Sequence, residues 1–266
     1  MKRLVSFYLE REHYLLGSGF IFLLVLAWET VPHVFTLPRG LSLFFTTPTQ
    51  VASAFVELIA KNQIQHHFYV SSVEFLLGLG LAIIVGLPLG LMTGRWRAVD
   101  DMVDPFITAL NATPRLIFLP LFMIWFGIGM WSKVMIVFIG ALFPLLINTY
   151  EGVKNVDRVL VDVVRSFGAR EWHIMKMVVL PNSVPYIVVG LRLAIGRAIL
   201  GVVVGEFFGA SEGLGFMIAS AATNYKVDVV FVGVAIFMAL SLILTLSVKK
   251  IETNLNRWRP EEIKTF

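Results

Sequence analysis

The chain has 266 residues, 57% of them hydrophobic and only 15% charged, with a net charge of +4 and a mean hydropathy of +0.80. Average soluble domains carry about 25% charged residues, so a lipid bilayer is the natural solvent for most of this sequence. The absence of cysteine excludes disulfides, thiol catalysis and cysteine-ligated metal. The basic residues cluster between and after apolar segments, which argues for membrane topology and against nucleic acid as a partner.

The N-terminal segment 1–14, MKRLVSFYLEREHY, leads into an apolar run. A signal peptide would need a shorter apolar core and a small-residue cleavage site. Glu29-Thr30-Val31-Pro32 offers none, so an uncleaved first span is expected. A spanning helix needs roughly 20 mostly apolar residues. Leu15–Val34, Val70–Met92, Val134–Tyr150, Val184–Gly205 and Val227–Val248 meet that requirement. The loop Pro32–Tyr69 predicts a short interfacial helix starting at Thr47-Pro48-Thr49, with Val51, Phe55, Leu58 and Ile59 on one face.

The sixth candidate, third in chain order, is awkward. Arg115–Ile128 is strongly apolar but reaches only roughly 20 Å as a helix. Extended back to Pro105, it contains Pro114 and Pro120. Interior proline frees a carbonyl and clashes with the preceding turn, which lipid tolerates only where protein or a cavity satisfies the backbone. A kinked or broken span facing a pathway is expected here.

Six spans put both termini on one side. The loops on that side hold Lys2, Arg3, Arg11, Arg95, Arg97, Lys154, Arg158, Arg165, Arg170, Lys176, Lys249, Lys250, Arg257, Arg259 and Lys264. The other side holds only Arg39, Lys61, Lys133 and Lys226. This asymmetry predicts cytoplasmic termini and a cytoplasmic polar segment at 151–182. The organisation is then a cytoplasmic segment 1–14, a six-span domain 15–248 and a basic cytoplasmic tail 249–266.

Small residues recur every fourth position at Gly78, Ala82, Gly86, Gly90 and Gly94, and again at Gly201 and Gly205. On helices these form ridges that admit a second backbone, within the chain or at a subunit interface. Arg192 and Arg197 lie inside the fifth span, where a charge is costly and faces a partner or a polar pathway. The pathway candidates are Asn111, Thr113, Arg115, Asn148, Thr149, Arg197 and Glu206. His66-His67 is an unpromising metal pair. No phosphate loop ending in Lys-Ser/Thr occurs, so no ATPase site is expected in this chain. No serine–histidine or paired-carboxylate constellation supports an intramembrane enzyme.

The polar segment 151–182 carries a helical pattern from Val156 to Phe167 that stops at Gly168, and a second from near Ala169 to Leu180-Pro181. A left-handed helix end favours glycine at Gly168. LVDVVRSFGAREWHIMKMVVLP resembles the EAA loop of ABC importer permeases, with Gly168-Ala169 and Leu180-Pro181 in register and Asp162-Val163-Val164 where Glu-Ala-Ala would stand. PLFMIWFGIGMWSKV, FPLLINTYEGV and GRAILGVVVGEFFGASEGLGFMI resemble the subgroup that imports nitrate, sulfonates and taurine. The resemblance is collinear from about Leu37 to Ser247.

The resemblance implies an all-α, six-span, type I (MetI-like) permease in the plasma (inner) membrane. It implies a second copy of the chain, two cytoplasmic ATPase subunits carrying ATP and Mg, and an extracytoplasmic solute-binding protein that largely selects the solute. Asp162, Gly168, Ala169, Arg170, Glu171, Leu180 and Pro181 would then contact the ATPase, and no cofactor is expected on this chain itself. The alternative is an ATP-independent secondary transporter or channel. That reading needs ionisable residues near the midplane, where an always-charged arginine is a poor proton carrier.

Overall fold

The computed structural model describes residues 2–34 and 44–255. Arg39 and the end of the basic tail, with Arg257, Trp258, Arg259 and Lys264, lie outside the described residues. Among the described residues the chain is helical: α1 (Lys2–Val34), α2 (Pro48–Ala60), α3 (Gln63–Arg95), α4 (Arg97–Ala112), a 3-10 turn (Arg115–Ile117), α5 (Phe118–Phe126), α6 (Met130–Lys154), α7 (Arg158–Ser166), α8 (Glu171–Ile174), α9 (Leu180–Gly209), α10 (Leu214–Thr223) and α11 (Val227–Leu255). Four helical stretches are long and apolar enough to cross a bilayer, and a fifth if α4 and α5 cross together. In α1 the apolar stretch described is Leu16–Pro32.

The chain divides into two compact units. In residues 1–65 with 217–235, the indole of Trp28 donates to Thr46 O at 2.7 Å and stacks at a tilt on Phe231. Thr47 opens α2 through a capping box with Gln50, and Pro48 stands in the first turn, where its missing N–H costs nothing. The sequence anticipates this start but not the buried face. Ala54 and Leu58 are buried while Phe55 and Ile59 are exposed, because burial here follows the i, i+4 row of small and branched residues. Much of the expected loop 32–69 is helix, since α3 begins at Gln63.

The second unit, residues 66–216 with 236–266, is built around α6. Its core joins Phe75, Leu79 and Ala82 of α3, Val137, Ala141 and Leu145 of α6, and Ala194, Ala198 and Val202 of α9. The small-residue ridges face α6 from two sides. A Cβ built on Gly78 would fall 2.5 Å from Val137 Cβ, and one on Gly90 2.7 Å from Leu146 O. At Gly86 and Gly94 the nearest atoms belong to Leu142 and Val153. From the other side, Gly201 meets Val137 Cα at 2.9 Å and Gly205 meets the Lys133 side chain at 3.2 Å. At Gly78, Gly90, Gly94 and Gly201 a side chain would clash, and in lipid such close packing is a main source of helix association.

Two expectations change in detail. The third span breaks at Thr113-Pro114, where α4 and the following segment meet at 89°. Proline disfavours the helical region for the residue before it, and Thr113 is extended (φ −77°, ψ 133°). Pro120 causes no break: it falls in the first turn of α5, among the N–H groups that have no helical acceptor anyway. Nor does the helix after Gly168 stop at Leu180-Pro181. It runs unbroken from Glu171 to Gly209 through a π turn at Met175–Val179, a widened turn that accommodates a proline lacking its N–H. The short helix α10 has no counterpart in the sequence reading.

Replacing Gly90 with Val should lower the thermal midpoint of the detergent-purified chain, an overpacking cost of about 1–3 kcal/mol. Gly80→Ala, at a position with open space around it, should not lower it.

Candidate functional site

The elbow after α7 is assembled from local rules. Asp157 caps α7, its carboxylate accepting from Val159 N at 2.8 Å. Gly168, at φ +79°, reverses the chain in the left-handed region. Behind the elbow, Val161, Ile174, Val178 and Val179 form a small core with Val153. Glu171 is held by two arginines: Arg95 from the end of α3 at 2.5 Å and Arg165 from α7 at 3.0 Å. These pairs tie both arms of the elbow to the inner bundle. Arg165 also reaches Asp162, at 3.5 Å.

The outer side of the elbow is unusually apolar for a charged segment. Phe167 is 86% exposed and Trp172 71%, with Val159, Val163 and Met177 exposed beside them. Asp162, Gly168, Arg170 and Glu171 share this exposed tip. Leu180 and Pro181 lie after the π turn, at the start of α9. An exposed patch with two large aromatics marks an interaction surface.

The pathway candidates separate into three places. Asn111, Thr113, Arg115 and Arg197 line one cavity of about 450 Å³ with Gly140 and Gly201. Asn148 and Thr149 lie elsewhere on α6, their side chains donating to Pro144 O and Leu145 O at 2.7 Å. Thr149 is fully buried against Gly90. Arg192 is no lining residue, since it pairs with Glu252 of α11.

Glu206 belongs to a third group that the sequence reading did not assemble. At the end of the bundle away from the elbow, Glu74 of α3, Lys133 of α6 and Glu206 of α9 are all buried. Lys133 is ion-paired with Glu74. Glu206 accepts from Ser71 Oγ at 2.6 Å and from Gly215 N at 2.6 Å, and Ser71 Oγ accepts from Leu214 N at 2.8 Å. Gly213, at φ +112°, has the Glu206 carboxylate where a Cβ would stand. Lys133 is therefore no outer-loop residue, as the basic-residue count assumes. The available signal was the presence of three ionisable residues within or beside apolar spans.

Fold and site together define a polytopic helical membrane protein with an exposed apolar elbow and a polar cavity within its bundle, the build of a transport permease. Residues 86–257 match the family described as the binding-protein-dependent transport system inner membrane component, and the chain belongs to that family of ABC importer permeases. A putative aliphatic sulfonates transport permease of Bacillus subtilis (strain 168) is 35% identical over 80% of this chain and 77% of its own. The taurine transport system permease of Escherichia coli (strain K12) is 31% identical over 92% and 90%. The fold is shared with the inward-facing MetNI methionine ABC transporter, at a TM-score of 0.64 and 17% identity over 72% of this chain and 95% of that one.

Removing Lys133 alone should be severe, because it leaves Glu74 buried and uncompensated. Lys133→Met is expected to cost about 3–5 kcal/mol, seen as loss of folded protein in size-exclusion chromatography. The double change Lys133→Met with Glu74→Met should restore most of the yield.

Proposed function

We propose that this chain is the membrane subunit of an ATP-driven importer for a small anionic solute, such as a sulfonate, taurine or nitrate. Two copies assemble with two cytoplasmic ATPase subunits and an extracytoplasmic solute-binding protein. The chain sits in the plasma membrane with six crossings, its termini and elbow cytoplasmic, and ATP and Mg are bound by the partner ATPase. The observation that carries this reading is the elbow, whose exposed Phe167 and Trp172 flank the left-handed Gly168 within the family's matched region. The solute class is supported by the names of the sulfonate and taurine permeases to which the chain is similar.

Mechanically, the ATPase presses on Phe167, Trp172 and their neighbours. The elbow cannot flex freely, because Glu171 is tied to Arg95 and Arg165. The load passes into the helix that runs on from Glu171 to Gly209, roughly 58 Å at 1.5 Å per residue. The bend at Thr113-Pro114 is the soft point beside it, because few backbone bonds cross the break. ATP can drive transport only by favouring one arrangement of these helices over the other. A carrier working without ATP could call on Glu74, Lys133 and Glu206, but it would leave the apolar elbow without a use.

The double change Phe167→Ser and Trp172→Ser should weaken binding of the purified ATPase subunit to the permease in nanodiscs by about a hundredfold, the effect of losing two aromatic anchors. The thermal midpoint should not move, since both side chains are exposed. Unchanged ATPase binding together with unchanged solute uptake would overturn the reading in favour of ATP-independent transport.

A further inference from the structure

The cavity between the α4–α5 break and α9 has a feature that packing does not account for. Two arginines line it, Arg115 from the break and Arg197 from the middle of α9, and no aspartate or glutamate is among its lining residues. Among the described residues, neither arginine forms an ion pair. Arg115 donates one hydrogen bond, from Nη2 to Asn111 Oδ1 at 2.9 Å, and lies over the ring of Phe143. Its Nε is buried and without a hydrogen-bond partner. Arg192, on the same helix as Arg197, also has a buried Nε without a hydrogen-bond partner, but its guanidinium is ion-paired with Glu252.

Guanidinium groups without acidic partners in a membrane bundle are costly; here Arg115 is half-buried and Arg197 exposed at the cavity wall. They persist where something else supplies the negative charge. Guanidinium forks match the paired oxygens of oxyanions. Asn111 spends its carbonyl oxygen on Arg115, which leaves its amide N–H groups to donate. The cavity of about 450 Å³ falls within the usual range for small-molecule sites.

We propose that this cavity is a substrate-selective site of the permease itself, in which Arg115 and Arg197 together hold the oxyanion end of a travelling organic anion such as a sulfonate. The inference rests on the importer reading above and extends it: the membrane subunit, and not the binding protein alone, tests the solute's charge. The two arginines stand on different parts of the machine. Arg115 follows the bend at Pro114, whereas Arg197 rides on the helix that continues from the elbow. The Arg197 backbone is packed on Gly140 of α6, so a swing of the Pro114 bend against that fixed wall changes their separation, and the anion is gripped in one arrangement and released in the other. A transport site needs that property, since it must bind well enough to load and weakly enough to empty.

The experiment uses the permease assembled with its ATPase subunits, in neutral-lipid nanodiscs and without the binding protein, titrated calorimetrically with ethanesulfonate and with ethyl methyl sulfone as its uncharged counterpart. Ethanesulfonate should bind and the sulfone should not. Arg197→Gln and Arg115→Gln should each weaken ethanesulfonate binding by about tenfold or more, the loss of a charge-assisted contact, and Arg197→Lys should recover part of it. Co-elution of permease and ATPase is read on every sample. Samples that fail to co-elute, wild type included, count against the importer reading. Intact complexes in which the glutamine variants bind ethanesulfonate as wild type does, or in which both probes bind alike, overturn the anion site. Ethanesulfonate binding abolished by adding phosphatidylglycerol to the nanodiscs would assign the cavity to a lipid headgroup and overturn it too.

Discussion

The structure depends on how closely α6 is approached by its two neighbours. Val137 is clasped between Gly78 of α3 and Gly201 of α9, at separations no side chain would survive. Lipid tails are as apolar as leucine, so no hydrophobic effect draws these helices together. Close van der Waals contact has to do it, and each contact atom contributes little unless many meet. The repeat of small residues every fourth position supplies them along the length of α3. Because that grip is rigid, α6 serves as the fixed post against which other elements can move.

The element least buried against the bundle is α4, whereas α5 packs Leu119 and Phe122 against Ile136 of α6. The α4–α5 segment turns through 89°, and among the residues described for α4 none is buried. On the other side, the helix from Glu171 to Gly209 is gripped at Gly190, Gly201 and Gly205 but extends past the bundle to the elbow. Salt links at the elbow end, Arg95 to Glu171 and Lys154 to Asp100, join α3, α4, α6 and the elbow into one connected surface.

Charge within the bundle is handled in two ways. Near the end away from the elbow, Lys133 is ion-paired with Glu74, and Glu206 accepts from Ser71 and from Gly215 N at the start of α10. That arrangement holds the Gly213 turn against α3. In the cavity, Arg115 and Arg197 are left without acidic partners. The two groups differ in burial: Glu74, Lys133 and Glu206 are buried, whereas Arg115 is half-buried and Arg197 is exposed.

Much of this was legible from residue order. Apolar length identified most of the long helices, the four-residue spacing marked the ridges, Gly168 located the elbow, and Pro114 announced a broken span. Each follows from local rules in which a residue and its near neighbours decide the outcome. The tertiary structure decided the rest. Arg115 and Arg197 are 82 positions apart, as far from local reasoning as Ser71 and Glu206 are, so their sharing of a cavity cannot be read from spacing. Asn148 and Thr149 resembled pathway residues until the fold turned them toward their own helix and its neighbours. Lys133 was counted as a loop cation because its partner Glu74 lies on another helix. Periodicity reports which face of a helix is special; which partner meets that face depends on three-dimensional packing, and in a membrane the fate of a charge depends on that partner.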